Sequence, residues 1–356
     1  MEFGLNFFPS CGPNEKPADQ YFAETLHLSE VADRLGYDHV RTVEHYFEPY
    51  GGYSPNPIVF LAAAAMRTTR LRLVTGAILP VFNNPLKVAG EIGMLDAISG
   101  GRLDVGFARA FLPHEFARFG RSLDESRARF EEGVLQVHRL LAEENVTENG
   151  RFHSFANVTS LPRPTQSPTP PIWVAALSTP ASFAWAGTHG YNIMAIAIGG
   201  AHMKEMLDTY RSAWRAAGHP GRGRVMLSFS MHTQPTREQA VANFRGPLNA
   251  YLKALVDGAS GWLQGASTKD YPNYDKTIQA LKQDSFDGQL ERRITWCGTP
   301  DEVSDMIAEY DRAVGGFEIA SLLTTPHAIA VDKVESSLRL FAEQVMPRFK
   351  TVAKAA

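Results

Sequence analysis

Tyr37-Asp38-His39-Val40-Arg41-Thr42-Val43, followed at once by Glu44-His45-Tyr46, is the stretch on which the fold turns. Its first part is apolar and β-branched enough for a buried strand, and the polar triplet breaks that pattern abruptly. The segment therefore reads as a strand that delivers an imidazole at its carboxyl end. In a barrel of alternating strands and helices, that end is where chemistry takes place. A histidine after a strand is also a common hydrogen-bonded loop residue, so the rest of the chain must decide.

Strand-like runs recur at 3–8, 39–43, 71–75, 103–107, 172–175, 193–196, 225–231 and 317–320. Helix-like stretches separate them, with Tyr21, Leu28, Val31, Ala32 and Leu35 forming one apolar stripe and Phe130, Val134, Val137 and Leu141 another. Gly36 stops the first helix. Ser122-Leu123-Asp124-Glu125 and Thr299-Pro300-Asp301-Glu302 each offer a hydroxyl at the N-cap and a glutamate three residues on. Strands joined by helices pair in parallel, and eight such units close most naturally as a single (β/α)8 TIM barrel, an α/β fold. An open doubly wound sheet is the runner-up, but no G-x-G-x-x-G or G-x-x-x-x-G-K-[ST] fingerprint supports it.

The composition fits that architecture: 356 residues, 44% hydrophobic and 21% charged, supply a large core in an ordinary globular chain. The net charge of -3 comes with no basic stripe, which argues against a nucleic-acid partner. The acid at Glu2 does not suit a secretory signal, and the apolar stretch 58–66 is too short to span a bilayer. Cys11 and Cys297 lie far apart and match no metal spacing, so a reducing, cytoplasmic setting without membrane attachment is expected. One region departs from the alternation. Residues 257–293 form a long insertion before the last helix-strand unit, read as a mobile flap over the barrel mouth, with packing on the outer helices as the alternative.

Among candidate sites, His114-Glu115 fails as H-E-x-x-H because Arg118 holds the second histidine position, and no metal site is expected. No G-x-S-x-G is present. What remains is anion-binding equipment: Arg109 after the fourth strand, Arg127 in the first turn of a following helix, and the helix opening Leu177-Ser178-Thr179-Pro180-Ala181-Ser182 after the fifth. Guanidinium groups and free helical N–H groups in such places suit a phosphate. Simple N-capping by Ser178 or Thr179, and an Arg127–Glu131 pair at i+4, are the plainer readings.

Several motifs now coincide in order: Glu44-His45-Tyr46-Phe47, Thr75-Gly76-Ala77-Ile78, Asn84-Pro85-Leu86-Lys87-Val88-Ala89-Gly90-Glu91, and Leu95-Asp96-Ala97-Ile98-Ser99-Gly100-Gly101-Arg102-Leu103-Asp104-Val105-Gly106. Ser126-Arg127, Trp173-Val174-Ala175-Ala176-Leu177-Ser178 and Cys297-Gly298-Thr299-Pro300-Asp301-Glu302 continue the series. In these the chain resembles the bacterial luciferase-like, flavin-dependent monooxygenases, almost end to end.

The resemblance implies one TIM-barrel domain over residues 1–356 that takes reduced FMN (FMNH2) from a separate NAD(P)H:flavin reductase and reacts it with O2 to a C4a-(hydro)peroxyflavin. A small hydrophobic organic substrate is then oxygenated. His45, with Glu44 beside it, matches the histidine next to the flavin. Arg109, Arg127, Ser178, Thr179 and Ser182 match the phosphate cradle. Gly76 and Ala77 match a strand end where the family often has a non-prolyl cis peptide against the isoalloxazine, and Ala175 and Ala176 end the fifth strand at the same mouth.

An imidazole that titrates near neutrality suits the proton chemistry of such a flavin, and a flap would exclude water. Ala108 stands where luciferase has a reactive cysteine and Tyr46 replaces its second histidine, so the resemblance does not extend to bioluminescence. An F420-dependent oxidoreductase and a non-catalytic flavin-binding luciferase-like subunit are the alternatives. A homodimer is implied, through helices after the second and third strands and the 58–66 segment. Phe8, Tyr46, Phe82 and Phe111 are candidates to line a nonpolar substrate pocket.

Overall fold

All eight runs read as strands pair in one parallel sheet that closes on itself in a computed structural model, whose described residues are 1–350. In chain order the strands are β1 (Glu2–Phe7), β2 (His39–Thr42), β3 (Arg72–Thr75), β4 (Leu103–Phe107), β5 (Val146–Asn149), β6 (Ser154–Val158), β7 (Ile172–Ala176), β8 (Asn192–Ile196), β9 (Val225–Thr233), β10 (Thr295–Gly298) and β11 (Ile319–Leu323). Around the barrel the order is β1-β2-β3-β4-β7-β8-β9-β11, with β11 pairing back onto β1. This is a TIM barrel, with helices between successive strands.

The period of two along each strand divides the core. Phe3, Leu5, Val40, Leu73, Val105, Ile193 and Leu227 belong to a large cluster shared with the surrounding helices. The alternate set, Val74, Trp173, Met194, Met226 and Ile319, forms a separate apolar plug inside the barrel. Glycines make room in the lumen. A Cβ on Gly4 would fall 2.2 Å from the His39 ring, and one on Gly76 would fall 1.9 Å from Arg41 Nε.

The helix Ala18–Leu35 buries Tyr21, Leu28, Val31 and Ala32 and ends at Gly36 in the left-handed region, φ 85°. Full burial of Leu28 and Val31 contributes about 1.5–3 kcal/mol each. Thr299 and Glu302 close a reciprocal capping box on the helix Pro300–Val314, with Pro300 in its first turn. The Ser122 expectation needs correcting. Ser122 caps only the short turn Leu123–Glu125, and the long helix begins at Ser126. Glu125 turns to Arg129 and Arg151 instead of its own cap, because two guanidiniums outbid one N–H.

Two pieces escaped the sequence pattern. β5 and β6 form an antiparallel hairpin of mostly exposed residues. β10 pairs with the upper half of β9, Thr295 with Ser230 through Gly298 with Thr233, while the lower half of β9 pairs with β8 and β11. The 257–293 segment comprises the end of the helix Arg237–Gly258, a turn at Ser260–Trp262, and the helices Tyr274–Lys282 and Phe286–Glu291. It anchors through buried Trp262, Tyr271, Ile278 and Phe286. Among the described residues no helix is long and apolar enough to cross a membrane.

Candidate active site at the carboxyl ends of the strands

His45 leaves β2 into a nearly closed setting of aromatic rings. Phe8 and Tyr50 lie tilted at 5.5 Å and Phe111 edge-on at 6.0 Å. Tyr251 packs against both Phe8 and Tyr50. His45 Nδ1 lies 3.1 Å from Glu115 Oε1, and the same oxygen accepts the Tyr46 N–H at 2.9 Å. Glu115 is fully buried, and its second oxygen has no partner. With Glu115 as a carboxylate, which can only accept, the pair places the proton of a neutral imidazole on Nδ1 and turns Nε2 away from it. Sequence reasoning missed Glu115. In the sequence Glu115 stands only in a failed zinc motif, and its pairing with His45 spans 70 residues of chain.

Glu44 faces the other way. It accepts from the Tyr46 hydroxyl at 2.5 Å, from Asn83 Nδ2 at 2.7 Å and from the Leu79 N–H at 3.0 Å, which ties the end of β2 to the loop after β3. Burial pushes its carboxyl up to about 7, against the pull of those three donors. Burial also raises the Tyr46 phenol, which therefore stays neutral. Of the aromatic candidates, Phe8 and Phe111 flank the imidazole. Tyr46 and Phe82 instead join Phe116 and Phe119 in a separate cluster beyond it.

At the end of β3 the Gly76–Ala77 peptide is cis. The Gly76 carbonyl accepts from Arg41 Nη2 at 3.0 Å. Ala175 and Ala176, at the end of β7, are half-buried and so border open space.

The expected anion groups fall on neighbouring elements. Arg109 follows β4, and Arg127 lies in the first turn of the helix Ser126–Ala142. Ser178 and Thr179 precede the helix Pro180–Thr188, whose first turn holds Ser182. One turn in from each helix start, the rings of Phe130 and Trp185 pack with centroids 5.2 Å apart. Thr179 is the N-cap yet makes no capping hydrogen bond, which leaves its hydroxyl available. The Arg127–Glu131 pair is present, but loose, at 3.7 Å.

The insertion sits on this same ground. Arg109 donates to the Asp270 carbonyl at 2.7 Å and stacks 4.2 Å from the centre of the Tyr271 ring, while its other terminal nitrogen is buried without a partner. The Arg127 N–H donates to the Asp270 carboxylate at 3.1 Å. Tyr271 donates to the Ala110 carbonyl at 2.5 Å and Trp262 to the Phe111 carbonyl at 2.8 Å. A carboxylate thus rests on a helix start beside a guanidinium, where an anionic ligand group would lie.

A family model described as luciferase-like monooxygenase matches residues 1–315. The oxygenase component of the flavin-dependent trigonelline monooxygenase of Acinetobacter baylyi is 29% identical, over 98% of this chain and 96% of its own length. The crystal structure of monooxygenase RslO1 from Streptomyces bottropensis shares 43% identity and superimposes with a TM-score of 0.88, covering 98% of this chain and 100% of that one. The oxygenating constituent of 3,6-diketocamphane monooxygenase from Pseudomonas putida, solved with FMN, shares the fold at a TM-score of 0.81 and 22% identity, over 98% of each chain.

Proposed function

The chain belongs to the luciferase-like monooxygenase family, and from that premise we propose that it is the oxygenase of a two-component system that uses reduced FMN and O2 on a small hydrophobic substrate. The observation that carries this reading is the His45–Glu115 pair just after β2, walled by aromatic rings, with Arg109 after β4 and Ser178 after β7 at the same ends of the strands.

FMN is tested against the residues present. Its phosphate would be held by Arg109, Arg127, Ser178, Thr179 and Ser182, where a buried guanidinium nitrogen and an unused N-cap hydroxyl await partners. Its ring would lie by Gly76, Ala77, Ala175 and Ala176, the last two of which are half-buried and border open space. The residues fit, on one condition: the loop bearing Asp270 and Tyr271 lifts from Arg109 and the Arg127 N–H to admit the phosphate. Reduced FMN, when bound, supplies the two electrons that let one oxygen atom enter the substrate and the other leave as water.

The chain's own residues manage protons and solvent. Glu115 fixes the imidazole with its proton on Nδ1, so Nε2 can take a proton from the reacting centre, and the buried carboxylate then steadies the imidazolium. Glu44 acts at one remove, by holding the turn that carries His45. Phe8, Tyr50, Phe111 and Tyr251 exclude water, and the 257–293 flap completes the closure.

A separate NAD(P)H:flavin reductase is supported by the naming of the trigonelline relative as an oxygenase component. A homodimer is supported by an exposed apolar row, Val59 and Met66 on the helix Pro57–Arg67 with Met94 and Ile98 on the helix Pro85–Ile98.

The test is anaerobic protein with reduced FMN mixed into oxygenated buffer, for wild type and His45→Ala, repeated with reduced F420. Reoxidation of bound FMN well below the free-flavin rate, accelerated at least tenfold in the variant, is expected. Reoxidation at the free rate, with tight binding of F420 instead, overturns the reading in favour of hydride transfer.

A further inference from the structure

Three arginines lie on the lumen side of the strands, Arg41 in β2, Arg72 at the start of β3 and Arg224 just before β9, and of these three Arg41 alone has no carboxylate partner. Near the amino ends of the strands, Arg72 pairs with Asp104 at 2.6 Å and Arg224 with Glu2 at 2.6 Å. Arg41 lies higher, toward the mouth, and is 6% exposed. Its guanidinium spans the lumen, donating to Ser228 Oγ of β9 at 2.6 Å and to the Gly76 carbonyl at 3.0 Å, and its Nε is buried without a partner.

The titratable groups that face it from the surrounding elements are His39, Tyr50 and Tyr251. None can neutralise it. Burial pushes the His39 imidazole down to about 3, so it stays neutral on Ser321, and burial raises both phenols. Burial pulls Arg41 itself down only to about 10, so it is charged at neutral pH. An unpaired buried charge is costly, and an anion bound beside it would offset that cost. Among the described residues, the apolar plug of Val74, Trp173, Met194, Met226 and Ile319 fills the lumen below it, which leaves the mouth as the approach.

We propose that Arg41 is the fixed counter-charge of the reduced cofactor, favouring its singly protonated anion, so that reduction takes up two electrons and one proton instead of two. This rests on the reading that the flavin ring lies by Gly76, whose carbonyl Arg41 holds. A cation on that side acts on reduced and oxidised flavin unequally, which is what sets a potential.

The experiment compares dissociation constants for oxidised FMN in air and reduced FMN under anaerobiosis, with the two-electron potential of the bound flavin. Arg41→Met is expected to weaken reduced FMN 10- to 100-fold and oxidised FMN less than threefold. The potential then falls by about 30 mV for each tenfold difference. Arg41→Lys recovers most of the loss. Ser228→Asp places a carboxylate on the intact arginine and is expected to weaken reduced FMN as Arg41→Met does, which covers the case in which the methionine variant does not fold. Equal losses for both redox forms, or an unchanged preference in Ser228→Asp, overturn the proposal and leave Arg41 as a brace between β3 and β9. Wild type that binds neither form of FMN defeats the cofactor reading first; the same pair of measurements with F420 then decides Arg41 separately, and absence of binding to both cofactors ends both proposals.

Discussion

Replacing Asp270 by alanine should tighten the binding of FMN. In the loop-down state the Asp270 carboxylate accepts the Arg127 N–H at the start of the helix Ser126–Ala142, while the backbone of the same residue holds Arg109. The substitution removes the first contact and keeps the second, together with the Tyr271 hydrogen bond to Ala110 and its stacking on Arg109. A hydrogen bond to a charged group is worth roughly 1.5–3 kcal/mol when desolvated, and partial exposure of Asp270 reduces that to about 1 kcal/mol. If the phosphate binds only when the loop has lifted, the apparent dissociation constant carries the competent fraction as a divisor. Removing about 1 kcal/mol from the loop-down state then lowers that constant about fivefold. Quenching of FMN fluorescence in a titration reads this directly, and the gain should shrink in high salt as the helix-start charge term is screened. Affinity within twofold of wild type, or weaker, would refute the shared use of this site by Asp270 and the phosphate.

Glu115→Gln should lower turnover about tenfold through loss of roughly 1.4 kcal/mol of charge assistance, with FMN affinity held within twofold; unchanged turnover would remove Glu115 from any role in orienting His45. For Glu44, the folded value near 7 lies above that of an unfolded glutamate, so the native state binds more protons between about pH 4.5 and 7 and its stability falls as pH rises through that window. Thermal unfolding across this range should show a shallower decline in Glu44→Gln than in wild type, and identical slopes would contradict it. Met66→Glu combined with Met94→Glu should shift sedimentation to that of a monomer while leaving the unfolding midpoint within a few degrees, since both side chains are largely exposed; an unchanged sedimentation coefficient would count against a dimer through these helices.

The barrel was legible because its strands and helices repeat a local signal. Runs such as 172–175 and 193–196 are continuous and apolar, as suits strands covered on both faces, and capping residues such as Thr299 and Glu302 act within one turn of themselves. Placement of His45, Arg109 and Ser178 at the mouth followed from their position just after such runs. Short-range chemistry is written where it acts.

What only the tertiary structure decided depends on pairings across the closed sheet. Glu115 reaches His45 over 70 residues, Asp270 reaches Arg127 over 143, and Arg41 meets Ser228 over 187. No periodicity predicts which side chains converge when eight strands close, because that is fixed by barrel register and by a loop folding back onto the mouth. The run His39-Val40-Arg41-Thr42 reads in sequence only as part of a buried strand, and the closed sheet puts His39 and Arg41 on its lumen side. That Arg41 there has no carboxylate while Arg72 and Arg224 each have one is a property of strand neighbours, which the chain acquires only on closing the sheet.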